Sequence, residues 1–177
     1  MSRVSFIVRA TMLAVLIGPA GLHAQSASKA SGNGDAYSKA LALHTEAVAL
    51  YGQPNRLADA ARLHVLEARF RSPRDAEAVE ALAMAGRLFS YANRLFDARQ
   101  VMEQAGDRAL SIGDVARAAH AYLDAAVLAR QARKEGEAMR LARKAYLLTG
   151  SPLLSLNQQG EIRKRFVNDP GIAQATQ

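Results

Sequence analysis

The sequence predicts an all-α chain of short helical hairpins, and three observations carry that prediction. From Asp35 to about Asn168 no run of β-branched and aromatic residues alternates with period two, while the strong helix formers Ala, Leu, Arg and Glu are abundant. Turn and cap residues divide this stretch into seven pieces joined by short connections, so neighbouring helices must fold back on one another. A short pattern also returns: ARLHVLEA at 61–68, ARQVMEQA at 98–105 and AMRLARKA at 138–145.

The chain opens with a segment that stands apart from the fold. MSRVSFIVR carries Arg3 and Arg9, ATMLAVLI is a short apolar core, and GPAGLHA ends in a small residue. That order is the one a secretory signal peptide has, and the apolar run falls well below the roughly 20 residues of a spanning helix. Residues 1–24 are therefore expected to be a signal peptide, cut after Ala24, and no membrane span is expected in the rest. The export this implies is to the periplasm or outside the cell. No cysteine lies at the junction to take a lipid, and none occurs anywhere, so neither disulfides nor thiolate metal sites are available. QSASKASGNG (25–34) is small, polar and glycine-containing, a flexible lead-in.

Helices are then expected at 35–51, 54–71, 73–92, 95–112, 114–133, 135–149 and 155–168. Gly52-Gln53-Pro54 ends the first and places Pro in the first turn of the second. Ser72-Pro73-Arg74-Asp75 has a capping-box pattern, again with Pro early. Asn93 suits the left-handed conformation that ends a helix, and Gly113-Asp114 is a stop followed by a cap. Lys134-Glu135-Gly136 offers the next turn, and Gly150-Ser151-Pro152 the last. Ser155 and Gln158 have the spacing of a capping box. Residues 169–177 are expected to form a disordered tail.

The recurring pattern is a repeat and not an accident of alanine content. The motifs begin at Ala61, Ala98 and Ala138, and each falls in the second helix of a hairpin. The first helices correspond too. Leu82, Ala85, Gly86 and Phe89 precede Tyr122, Ala125, Ala126 and Ala129 by the same interval that separates Ala98 from Ala138. Small residues at such positions let two helices approach closely, and units of this size bury their apolar faces only by stacking.

Large, two residues, small-small, two residues, large in a first helix, then Ala, three residues, bulky, two residues, Ala in a second, resembles the tetratricopeptide repeat. The resemblance covers 35–151 as about three units, with 155–168 as a C-terminal capping helix. It departs from the family in its longer spacing, in Ala142 where a bulky residue is usual, and in glycine where prolines usually close the units. It implies a right-handed solenoid of hairpins over 35–168 whose concave groove holds a segment of another protein. Carried across, the groove positions are Glu80, Ala83, Arg87, Ser90 and Tyr91 in unit two, and His120, Leu123, Val127, Arg130 and Gln131 in unit three. Arg87, Tyr91 and Arg130 are the expected anchors, since arginine and tyrosine offer large contact area and charge-assisted bonds to carboxylates.

Nothing in the sequence invites catalysis or a cofactor. It has no glycine-rich phosphate loop, no nucleophile motif and no metal-ligand cluster at diagnostic spacing. His64 and Glu67, three apart on one helix face, could hold a metal only with help from elsewhere, and no metal is expected. The formal net charge is +7, and its distribution is uneven: ten basic against ten acidic residues over 35–113, but ten against six over 114–177. Arg140, Arg143, Lys144, Arg163, Lys164 and Arg165 could form a basic patch for a polyanion or an anionic envelope surface. Single-strand binding lacks its interleaved aromatics, so nucleic acid is not the expected partner. The capping helix could pair with a second copy through Leu156, Ile162, Phe166 and Val167, though the same residues serve to cover the end of the core. The expected function is that of an exported, non-enzymatic scaffold binding another protein or peptide; polyanion or envelope-surface binding through the basic helices is the alternative.

Overall fold

A computed structural model describes residues 31–173, of residues 31–33 and 170 the backbone alone. The expected signal peptide and most of the lead-in lie outside the described residues. Among those described the chain is all-helical, without strands. The helices are α1 (Ser31–Ala49), α2 (Leu57–Phe70), α3 (Ala76–Tyr91), α4 (Leu95–Ser111), α5 (Val115–Gln131), α6 (Glu135–Leu148), α7 (Leu156–Asn168) and α8 (Pro170–Ala173), with a 3-10 turn at Pro54–Arg56. From α1 to α6 each helix packs on the next in chain order. No described helix is long and apolar enough to cross a membrane.

Local chemistry sets the helix ends. The Asp75 carboxylate accepts from the Glu77 amide at 2.8 Å, and Asp114 from Arg117 at 3.0 Å. Ser155 and Gln158 form a complete capping box. Pro73 does not open a helix as expected; α3 begins only at Ala76, because Asp75 supplies the cap. The closures of α3, α4 and α5 share one geometry. Asn93, Gly113 and Arg133 have positive φ (57°, 80° and 57°), and the next amide bonds back to Phe89, Ala109 and Ala129 respectively. The turn expected at Lys134-Glu135-Gly136 is made one residue earlier, with Arg133 in the left-handed conformation, and Gly136 lies in the first turn of α6.

Those three residues are evenly spaced along the chain, and the core follows the same interval. Ala78, Ala98, Ala118 and Ala138 are all buried, as are Ala85, Ala105, Ala125 and Ala145. The interval from the motif at Ala98 to the one at Ala138 is therefore two equal steps, each a helix and its turn. Glycine appears where a step must admit a large neighbour. A Cβ on Gly86 would lie 2.7 Å from Met102 Cγ, and one on Gly106 would lie 2.6 Å from Tyr122 Cε1. Gly86 precedes Met102 by the same interval as Gly106 precedes Tyr122, so the two contacts are one arrangement used twice.

Charged side chains link helices two apart. Arg140 and Lys144 of α6 reach Glu103 of α4 at 2.8 and 3.5 Å, and Arg117 of α5 reaches Glu80 of α3 at 3.3 Å. Within α3–α6, then, α4 and α6 form one layer and α3 and α5 the other. At the C-terminal end Ile162 and Phe166 of α7 are buried, each stabilising by roughly 1.5–3 kcal/mol. Leu156 and Val167, also expected to cover the core, are exposed because they fall on a different face of α7, about a third of a turn from Ile162 and Phe166. The expected disorder from 169 does not hold for 169–173: α8 follows directly, and Ile172 is buried.

Candidate functional site

The positions carried over as a groove converge on the surface between α3 and α5. Arg87, Ser90 and Tyr91 of α3 face Val127 and Gln131 of α5 across a cleft of about 360 Å³, floored by Gly86 and Met102. Periodicity explains the meeting, since these side chains sit on the helix faces left over once the alanine rows are buried. Tyr91 is 77% exposed, and Arg87 is paired with no acidic side chain among the described residues. A smaller neighbouring cleft holds Glu80, Ala83 and His120.

The unit-three half of this surface is not free. The chain's own C-terminal segment lies on it, which corrects the expectation that His120, Leu123 and Arg130 stand open. Arg165 of α7 donates to Asp124 and lies 3.2 Å from His120 Nδ1, and Arg130 pairs with Asp169 at 2.8 Å. Leu123 is buried, and it lines a small cavity with Val127, Asp169 and Ile172. Burial, assisted by the Arg165 charge, lowers the pKa of His120 and favours its neutral form. Arg165, expected in a surface patch, instead borders the cleft. Its partners Asp124 and His120 lie far back in the chain on α5, a relation that no local pattern signals.

The basic patch does not assemble as one field. Arg140 and Lys144 are engaged by Glu103 and Asp107, and Arg165 by Asp124. Of the six, Arg143, Arg163 and Lys164 are exposed and in no ion pair among the described residues.

A second polar cluster sits at the other end of the molecule, and the sequence shows half of it. Glu67 of α2 is buried, with His64 Nδ1 2.7 Å and His44 Nδ1 3.1 Å from the same carboxylate oxygen, Oε2. His44 comes from α1. The other oxygen accepts from Arg71 Nε and Nη2 at 2.9 and 2.8 Å, and the Tyr51 hydroxyl meets His64 Nε2. Burial pushes the Glu67 carboxyl upward, but the hydrogen bonds from His64, Arg71 and His44 outweigh it and bring its pKa down to about 2.

Comparison with protein-family models, with curated proteins and with solved structures returns no match for this chain.

Proposed function

We propose that this protein is an exported, non-enzymatic scaffold of the tetratricopeptide type that binds a segment of another protein in the cleft between α3 and α5. The observation that carries this reading is Arg87: a guanidinium without an acidic partner among the described residues, beside a largely exposed tyrosine, over an apolar floor. An arginine and an aromatic anchor beside apolar contact area make up the composition of a binding hot spot. The occupied half of the surface supports a reading of the ligand chemistry. There the chain's own segment supplies a carboxylate, Asp169, to an arginine and a buried aliphatic residue, Ile172, beside it. A partner segment that offers an acidic side chain to Arg87 and an apolar one to Met102 and Val127 repeats that arrangement.

Polyanion binding is the weaker reading, because half of the basic patch is already neutralised by acidic residues of α4 and α5.

A pull-down from envelope extract, washed at low and high salt, tests the proposal. Wild type should retain one or two proteins at high salt, and an Arg87→Glu/Tyr91→Ala variant should lose them while keeping its helical signal. Retention of only nucleic acid or anionic lipid, all released by salt, would move the function to Arg143, Arg163 and Lys164.

A further inference from the structure

We propose that His44, His64 and Glu67 bind one divalent transition-metal ion of the zinc class, with a further coordination position open to the adjoining cleft. The donor atoms of the three residues all lie within 4.8 Å of one another. Ligand atoms held about 2.0–2.2 Å from a tetrahedral zinc stand about 3.3–3.5 Å apart, so displacements on the order of 1 Å would admit the ion. Two imidazoles and one carboxylate suit zinc, nickel or copper better than magnesium or calcium, which prefer oxygen alone.

The surrounding residues fit that role. A metal on His64 Nδ1 places the ring proton on Nε2, where the Tyr51 hydroxyl is positioned to accept it. A metal on Glu67 Oε2 leaves Oε1 with both of its Arg71 hydrogen bonds, which fix the carboxylate plane. Arg71 does not repel the ion as a lone cation would, because Glu77 and Asp75 lie against it. With both imidazoles neutral, the three carboxylates of Glu67, Glu77 and Asp75 outnumber the Arg71 guanidinium by two charges, which a divalent ion balances. A cleft of about 320 Å³, bordered by Tyr37, Leu41, Glu80 and Met84, leaves room for a water or an incoming donor.

The helical register gives an independent argument. Matching the alanine rows sets His64 at the step position held by Ala81, Val101, Ala121 and Leu141, every one of them buried. An aliphatic side chain satisfies that position four times, so packing alone does not call for an imidazole. Burying a polar ring there is unfavourable unless it gains bonded partners. The site is independent of the α3–α5 cleft.

The test is calorimetric titration of zinc chloride into the full chain, prepared without a polyhistidine tag and stripped with chelator. Wild type should take up one ion with micromolar or tighter affinity. His44→Ala should bind at least tenfold more weakly, with only a small fall in melting temperature in chelator, since the His44 side chain is about half exposed and His64 and Arg71 still hold Glu67. Cobalt(II) added in place of zinc should give the visible bands of a four-coordinate ion in wild type and not in the variant. His44→Asn, which retains a donor toward Glu67, carries the same comparison if the alanine variant loses helix. Absence of saturable binding by wild type, or equal binding by wild type and both variants, would overturn the assignment.

Discussion

Gly106 fixes how closely α4 and α5 approach, and its replacement by alanine tests whether glycine is required by the neighbour or merely tolerated. An alanine methyl would sit 2.6 Å from Cε1 and 2.8 Å from Cδ1 of Tyr122. Ordinary van der Waals contact needs the ring to withdraw by about 1 Å. The ring is poorly placed to do so: it is buried, its hydroxyl donates to Asp107 at 2.6 Å, and Lys144 Nζ lies 4.6 Å from its centroid. Overpacking of this kind costs about 1–3 kcal/mol, and straining the hydrogen bond adds up to about 1 kcal/mol. Alanine returns about 1 kcal/mol through its better helix propensity. The net loss should be about 1–2 kcal/mol, or roughly 3–6 °C in melting temperature for a chain of this size. Gly86→Ala is the matched control. There the methyl meets Met102, an unbranched side chain that also borders the open α3–α5 cleft and can turn into it. That variant should stay within about 0.5 kcal/mol of wild type, since propensity gain and displacement nearly cancel. Urea melts of the two variants decide the matter. A Gly106→Ala chain as stable as wild type, or a Gly86→Ala chain that loses more, would refute the argument from ring rigidity.

Three further outcomes are expected. Arg133→Gly should stabilise the chain by about 1 kcal/mol, because a left-handed non-glycine residue carries a backbone cost that glycine avoids; urea midpoints of wild type and variant measure it. The Arg140 hydrogen bond, opposed by partial burial and aided by the Arg140 and Lys144 charges, holds the Glu103 carboxyl below its ordinary range. A depressed carboxyl stabilises the fold above its unfolded pKa, and that contribution is lost as pH falls through the folded value. Glu103→Gln should therefore flatten the acid limb of a stability-against-pH curve, with little change in the limb above neutral pH. Ile172→Ala should cost about 2–5 kcal/mol and raise amide exchange across residues 156–173, and a tail already loose would show no such rise.

Much of the helical array was legible because its punctuation is written in residues with few alternative uses. Gly113 and the Ser155–Gln158 pair act where the sequence places them, as does Asn93. Arg133 was not legible, since arginine carries no preference for positive φ and is held there by the same closing bonds that Asn93 uses. The tail misled for a related reason: one isoleucine in IAQATQ says nothing until Leu123 and Val127 are seen beside it. Candidate sites divide in the same way. Arg87, Ser90, Tyr91, Val127 and Gln131 meet because a regular step carries each to one side, and regular steps can be counted. His44 meets Glu67 from the far side of the turn at Gly52–Pro54, where the step length is irregular, so its partnership with His64 follows from no local pattern.

The equality of the steps has a consequence for how such a chain can change length. Because each helix presents the same alanine rows to its predecessor and to its successor, excision of one step between α3 and α6 would leave those rows in register. Every later helix would nevertheless change layer, and side chains that bordered the cleft would point away from it. Loss or gain of two steps restores the original facing. The array therefore obeys a parity rule: its alanine rows stay in register whether the helix number is odd or even, while the α3–α5 cleft keeps its lining only through even changes. Duplication by pairs of helices, and not by single ones, is the increment such a surface permits.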